Sequence, residues 1–136
     1  MKVARLIGDS GAGKSTLLAQ LIARYVSEGK RVGAIKHTHH PLNEENRGDT
    51  ATFRAAGAHP VLLAGMREAV VFRNEGATRV RYERPRDLLA QFGGHDVVLV
   101  EGFRDCSDWP AVTIAAEARP TVDELAANLD KIWDPT

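Results

Sequence analysis

The sequence carries a single cysteine, Cys106, among its 136 residues, which excludes an internal disulfide and any metal site made of several thiolates. It also lacks an excess of either charge, since 18 Lys and Arg oppose 18 Asp and Glu. Broad electrostatic binding to nucleic acid or to an anionic membrane is therefore not expected, which leaves only local patches. No stretch approaches the roughly 18 consecutive apolar residues of a membrane-spanning helix. The N-terminal residues run straight into Gly8 and Asp9, without the long apolar segment and cleavage site of a secretory signal. Internal repeats, low-complexity tracts and Pro/Gly/Ser-rich linkers are missing as well. Together these absences lead to an expectation of one soluble, cytoplasmic domain over residues 1–136, a length that suits a single core of about 100–150 residues.

What is present alternates between strand and helix signals. Residues 3–7 read as a short buried strand ended by Gly8. Over residues 14–28, Leu17, Leu21 and Tyr25 form one row and Leu18, Ile22 and Val26 the next, a wide apolar helical stripe stopped by Gly29. Residues 31–35 read as a second strand, residues 37–47 as a polar loop, and residues 48–56 as a short helix ending at Gly57. Residues 61–64, 69–72 and 79–82 are strand candidates, the last two joined by an Asn74-Glu75-Gly76 turn that predicts antiparallel additions. Residues 85–92 predict a helix with Pro in its first turn, and residues 97–100 an apolar central strand. Residues 111–115 close the strand set, and Thr121 opens a final helix over residues 122–133. The expected fold is α/β, a mostly parallel sheet with helices on both faces.

One segment carries specific chemistry. Gly8-Asp9-Ser10-Gly11-Ala12-Gly13-Lys14-Ser15 matches G-x-x-x-x-G-K-[ST] in full, a pattern that a chain of this length meets by chance about 0.5% of the time. It follows a predicted strand and opens a predicted helix, as a phosphate-binding loop requires. The glycines let backbone N–H groups close around phosphate, and the helix N-terminus adds a favourable dipole. Lys14 supplies a mobile positive charge to the β- and γ-phosphates, and Ser15 a hydroxyl for Mg²⁺.

A phosphate-bound Mg²⁺ also calls for an acid at the end of a neighbouring strand. Glu101, after Val97-Val98-Leu99-Val100, fills that position and could hold a metal-bound water or orient an attacking one, whereas Asp96 at the other end reads as a turn or cap residue. Asp49, in Gly48-Asp49-Thr50, reads either as a sensor of γ-phosphate and Mg²⁺ or as the N-cap of the next helix. Lys36-His37-Thr38-His39-His40 ends a strand on the edge where α/β proteins bind ligands, which points to phosphate, nucleotide or partner contact. The same histidines are also metal-ligand candidates, with His37 and His39 on one face, or an ordinary polar loop. Arg47, Arg54 and Arg104 are candidates to stabilise phosphate charge. Cys106 reads as inert, and Trp109 and Trp133 as packing residues.

With those residues in hand, the chain resembles the molybdopterin-guanine dinucleotide biosynthesis adaptor family, MobB. The features that carry the resemblance are the Gly8–Ser15 loop, Ile35-Lys36-His37-Thr38-His39-His40, Gly48-Asp49-Thr50, Arg54-Ala55-Ala56-Gly57-Ala58 and Val98-Leu99-Val100-Glu101-Gly102-Phe103-Arg104. The resemblance implies a P-loop NTPase-like fold and a GTP-binding homodimer with weak GTPase activity. It further implies a partner, the molybdenum cofactor guanylyltransferase, which joins GMP to molybdopterin. The nucleotide contacts it implies fall on the loop, from Gly8 through Ser10, Gly11, Ala12, Gly13, Lys14 and Ser15 to Thr16, with Lys36 and His37 beside them. Ser15, Asp49 and Glu101 are the implied Mg²⁺ side, Asp49 and Glu101 also acting in hydrolysis. Guanine preference comes from the resemblance alone, because no Asn-Lys-x-Asp motif is present; Asn128-Leu129-Asp130-Lys131 has another order. Asp9 stands where some dimeric relatives in the wider class carry a second lysine, so slow hydrolysis is expected.

Two other functions fit the same loop. A small-metabolite kinase would use it to transfer the γ-phosphate, but no lid or acceptor-binding insertion is visible. A GTP-dependent metal-insertion chaperone would load its metal on residues 37–40, but no Cys-His ligand set accompanies them.

Overall fold

The computed structural model describes residues 1–9 and 11–133. Its strands are β1 (Lys2–Ile7), β2 (Val32–His37), β3 (Val61–Ala64), β4 (Glu68–Arg73), β5 (Gly76–Arg81), β6 (Val97–Glu101) and β7 (Ala111–Thr113). Its α-helices are α1 (Lys14–Ser27), α2 (Asp49–Ala55) and α3 (Val122–Trp133). All seven strands form one sheet in the order β5-β4-β3-β2-β6-β1-β7. The five strands from β3 to β7 along that order pair in parallel, whereas β4 and β5 are added antiparallel, as the turn at Asn74 predicts. The predicted helix over residues 85–92 forms instead as a 3₁₀ segment, Pro85–Gln91.

Strand alternation divides the apolar side chains into two cores. Ala4, Leu6, Ala34, Val97 and Leu99 face α1, α2 and α3, meeting Leu18, Leu21, Phe53 and Leu125. Ile35, Val98 and Val100 point the other way, against Leu88 of the 3₁₀ segment, Phe92 just after it, and Phe103 and Trp109 of the β6–β7 loop. Helical segments thus cover both faces, unequally: three α-helices on one, one 3₁₀ segment on the other. Residues of β6 are buried throughout, which accounts for its unbroken apolar run before Glu101. Burying each of Leu17, Leu18, Leu21 and Ile22 on α1 contributes about 1.5–3 kcal/mol, enough to fix this helix on the sheet.

Local signals set the element ends. Thr121 and Glu124 cap α3 reciprocally: the Thr121 hydroxyl accepts from the Glu124 N–H at 3.1 Å, and the Glu124 carboxylate from the Thr121 N–H at 3.2 Å. Asp96 accepts the Arg31 N–H at 2.8 Å, the turn role read for it. Trp109 is buried and Trp133 Nε1 donates to the Val3 carbonyl, so both tryptophans pack.

Candidate phosphate cleft and the groove behind it

Three parallel strands side by side, β2, β6 and β1, end on one edge of the sheet. Their register puts Glu101 level with Leu6 on one side and Lys36 on the other. Since Leu6, Ala34 and Leu99 face the helices, so do Lys36 and Glu101. The loop after β1 turns into α1 through Gly13, whose φ of 83° ends the loop and starts the helix without a capping side chain. The first-turn N–H groups of α1 are thus left for an anion. Gly11, Gly13, Lys14, Ser15, Thr16, Lys36, Asp49 and Glu101 line a cleft of about 260 Å³ there.

The cleft is built on oxygen and ammonium groups. The Ser15 hydroxyl lies 2.9 Å from Asp49 Oδ2 and 2.7 Å from Glu101 Oε1. A hydroxyl has one proton and can donate to only one of them at a time, so its lone pairs and two carboxylates converge on one point. Lys36 Nζ donates to Asp49 Oδ2 at 2.7 Å and ion-pairs with Glu101. Burial alone would pull the Lys36 ammonium down, but the bonds to Asp49 and Glu101 outweigh it and hold its pKa above the ordinary lysine value. Burial likewise works against the Asp49 carboxylate, and the bonds from Lys36 and Ser15 prevail, so its pKa lies below the usual range. Lys14 Nζ donates to the carbonyls of Gly8 and Asp9 at 2.8 and 2.9 Å, folded back over its own loop.

Behind this cleft, on the other face of the sheet, lies a groove of about 850 Å³. His37, next to Lys36 in β2, points into it. Its ring stacks on Phe103, with centroids 4.2 Å apart and planes 7° from parallel, and meets His39 edge-on at 4.9 Å. Burial, then the charge of His39, lowers the His37 pKa. Phe103 reaches this position from a left-handed backbone, φ 53°, just after Gly102 at φ 105°.

The chain matches, over residues 3–132, a family model described as MobB, molybdopterin guanine dinucleotide synthesis protein B. It belongs to the MobB family. It is 36% identical over 107 residues to the molybdopterin-guanine dinucleotide biosynthesis adapter protein of Haemophilus influenzae, covering 73% of this chain and 55% of that one. The Escherichia coli K12 adapter protein is 36% identical over 99 residues, covering 70% and 55%. The chain therefore spans about half the length of these two curated relatives. A solved structure of Bacillus subtilis MobB aligns with a TM-score of 0.52 at 24% identity, covering 89% of this chain and 75% of that one, which supports the fold. Among the described residues, no helix is long and apolar enough to cross a membrane.

Most of the residues anticipated for this MobB-family site meet in the cleft, and a few stand elsewhere. Gly11, Gly13, Lys14, Ser15, Thr16, Lys36, Asp49 and Glu101 converge. Ser10 lies outside the described residues. Ala12 is buried in the helix-side core, and Gly8 offers its carbonyl to Lys14 while packing against Ile114, where a Cβ would collide. His37 faces the groove instead of the cleft. Asp49 is the first residue of α2 after Gly48, with no side-chain cap bond, so the N-cap reading gives way to its bonds with Ser15 and Lys36. Arg47 pairs with Glu45, and Arg54 donates to the Arg73 carbonyl, away from the loop. Arg104 reaches Asp9 at 3.4 Å, on the flank of the loop. Among the described residues, no three His, Cys, Asp or Glu side chains gather as a metal-holding group.

Two contributors escaped the sequence. The Arg119 guanidinium lies against Gly13, so closely that a Cβ there would collide with it. Only the placement of β7 beside β1 brings a residue from so late in the chain onto the loop. Arg5, buried in β1, donates to the carbonyls of Phe103 at 2.6 Å, Arg104 at 3.1 Å and Trp109 at 3.0 and 3.1 Å. An arginine alternating with apolar strand residues gave no sign that it would fasten a loop 98 residues away.

Proposed function

We propose that this protein is a GTP-binding adaptor, with weak GTPase activity at most, that assists a guanylyltransferase in attaching GMP to molybdopterin. The observation that supports this reading best is the convergence of Lys14, Ser15, Asp49 and Glu101 at the mouth of α1, in a chain whose relatives are named adapter proteins of this biosynthesis. The glycine-lined loop and the open helix end suit the triphosphate, with Lys14 swinging from the Gly8 and Asp9 carbonyls onto it. The donor set also suits Mg²⁺, which favours a few hard oxygens and keeps the rest of its shell for phosphate and water. Ser15, Asp49 and Glu101 would hold it, and it would neutralise phosphate charge there. A positive ammonium, Lys36, already sits among these oxygens.

Weak hydrolysis follows from the cations available. Of the cations at the loop, Lys14 and Lys36 line the cleft, Lys36 is engaged by two carboxylates, and Arg119 lies against Gly13 outside the lining residues. The loop's own Asp9 supplies no positive charge to a developing transition state. A homodimer in the cytoplasm belongs to the same proposal. The separation of groove and cleft by the sheet counts against a metabolite kinase, since a molecule in the groove cannot receive a phosphoryl group from the other face.

Calorimetric titration of the purified protein with GTP and ATP, each with Mg²⁺, tests the reading. Preference for GTP with slow turnover is the expected result. Equal or tighter ATP binding would leave a phosphate site but overturn the guanine-nucleotide function.

A further inference from the structure

Adjacent residues of a strand face opposite ways, so Lys36 enters the phosphate cleft while His37 enters the groove behind it. Glu101 and Phe103 repeat this division at the end of β6, across Gly102. Nothing in the nucleotide chemistry uses the groove, yet its volume of about 850 Å³ is that of a small-molecule site. Its floor is aromatic and pre-assembled: the His37–Phe103 stack, with Tyr82 edge-on to Phe103 at 6.3 Å and its hydroxyl fixed on the Gly65 carbonyl.

Charged side chains of both signs complete the lining: Arg67, Arg81 and Arg104 with Glu68, Glu83 and Asp105. Arg67 precedes β4 and Arg81 ends β5, and neither forms an ion pair among the described residues. Glu68, opposite Arg81 in the sheet register, is bonded by Arg79 instead, at 3.0 Å. Flat rings stack on aromatic and imidazole faces, and free guanidinium groups take carboxylate or phosphate in a two-pronged fashion. An aromatic floor beside two unclaimed guanidinium groups is thus a recognition set for a flat heterocycle that carries an anionic tail. We propose that this groove binds a pterin bearing an anionic substituent. The site stands on the groove's geometry, while the choice of a pterin among flat heterocyclic anions rests on the proposed function.

Pterin-6-carboxylate, which is fluorescent, serves as the probe. It is titrated into the full chain, into Lys14→Ala and into the double variant Arg67→Ala/Arg81→Ala, with Mg²⁺-GTP calorimetry on each protein. The expected result is saturable quenching in the wild type and in Lys14→Ala, weakened about tenfold or more in the double variant. The double variant should keep wild-type GTP affinity, because neither arginine is among the residues that line the cleft. Absence of saturable quenching by the wild type overturns the proposal, as does undiminished binding by the double variant. Loss of pterin binding in Lys14→Ala, or its displacement by GTP, overturns it too, by placing the probe in the phosphate cleft. Arginine-dependent pterin binding by a chain that fails to bind GTP supports the groove and rejects the nucleotide reading alone.

Discussion

The hydroxyl of Ser15 lies 2.7 Å from the carboxylate of Glu101, so the first turn of α1 and the end of β6 meet across 86 residues of sequence. Neither side chain could be placed there by its own element. Glu101 arrives because β6 pairs between β1 and β2, and Ser15 because the loop after β1 folds α1 back over that same strand end. Asp49 completes the group from α2, and Lys36 compensates the two carboxylates. The helix-side face of the sheet edge is therefore a small set of hard oxygens balanced by ammonium, while the other face is aromatic.

Glu101→Gln separates charge from shape at this point. Glutamine keeps an oxygen for the Ser15 hydroxyl but removes the negative charge. Mg²⁺-dependent GTP turnover should fall by about tenfold or more, with nucleotide affinity less affected, if the carboxylate holds metal or orients water. Single-turnover hydrolysis and calorimetry on the same preparation give the two numbers. Wild-type turnover would reduce Glu101 to a strand end.

Lys14→Ala tests the loop itself. In the protein alone, Lys14 is bonded to two carbonyls of an exposed turn, so its loss should change stability by only about 1 kcal/mol. Its loss from a bound triphosphate removes charge-assisted hydrogen bonds and should lower GTP affinity on the order of 100-fold. Urea denaturation and calorimetry decide it: unchanged affinity in a folded variant contradicts the site.

Much of this organisation was legible in the sequence because local and global signals agree. The loop motif, the helical stripe from Leu17 to Val26 and the apolar run before Glu101 each carry their own periodicity or spacing. What could not be read depends on which strands become neighbours. Arg119 meets Gly13 only because β7 lies beside β1, and Arg5 reaches Trp109 by the same pairing. The assignment of His37 needed a finer distinction. Lys36 and His37 read as one polar cluster, but a period of two puts them on opposite faces of the sheet. The 3₁₀ form of Pro85–Gln91 has its signal only in part, in the Pro start and the Asp87 cap on Arg84.

Gly102→Ala should damage both faces at once. A Cβ at this position would lie 2.8 Å from the Cβ of His37, on a backbone with φ of +105° that L side chains rarely adopt. The strain is worth about 1–3 kcal/mol. A lower urea midpoint is expected, with loss of the His37–Phe103 contact seen as altered aromatic NMR shifts. A midpoint equal to that of the wild type would mean that the β6 end moves freely relative to β2.

Arg5→Met should unfasten the β6–β7 loop. The guanidinium serves the carbonyls of Phe103, Arg104 and Trp109, and methionine fills similar space without a donor. Leaving buried carbonyls unpaired should cost about 2 kcal/mol or more. Arg5→Lys restores a donor and should recover part of it. Amide hydrogen exchange over residues 103–109 locates the effect, and unchanged protection there would show that packing of Trp109 alone holds the loop.

Acid should weaken the fold through His37. Its pKa is lowered in the folded protein, by burial and then by His39, against about 6.5 in the unfolded chain. Between the two values the unfolded chain binds more protons, so stability rises with pH in that window. The His37 contribution is therefore complete above about pH 6.5 and is lost as pH falls to the folded value, below which it no longer changes. His37→Gln should flatten this part of the profile. Urea midpoints measured between about pH 5 and 8, beside an NMR titration of the His37 ring, read both quantities. A His37 pKa at or above the unfolded value, or an identical slope in the variant, would show that the ring stacked on Phe103 is not the group that carries this acid sensitivity.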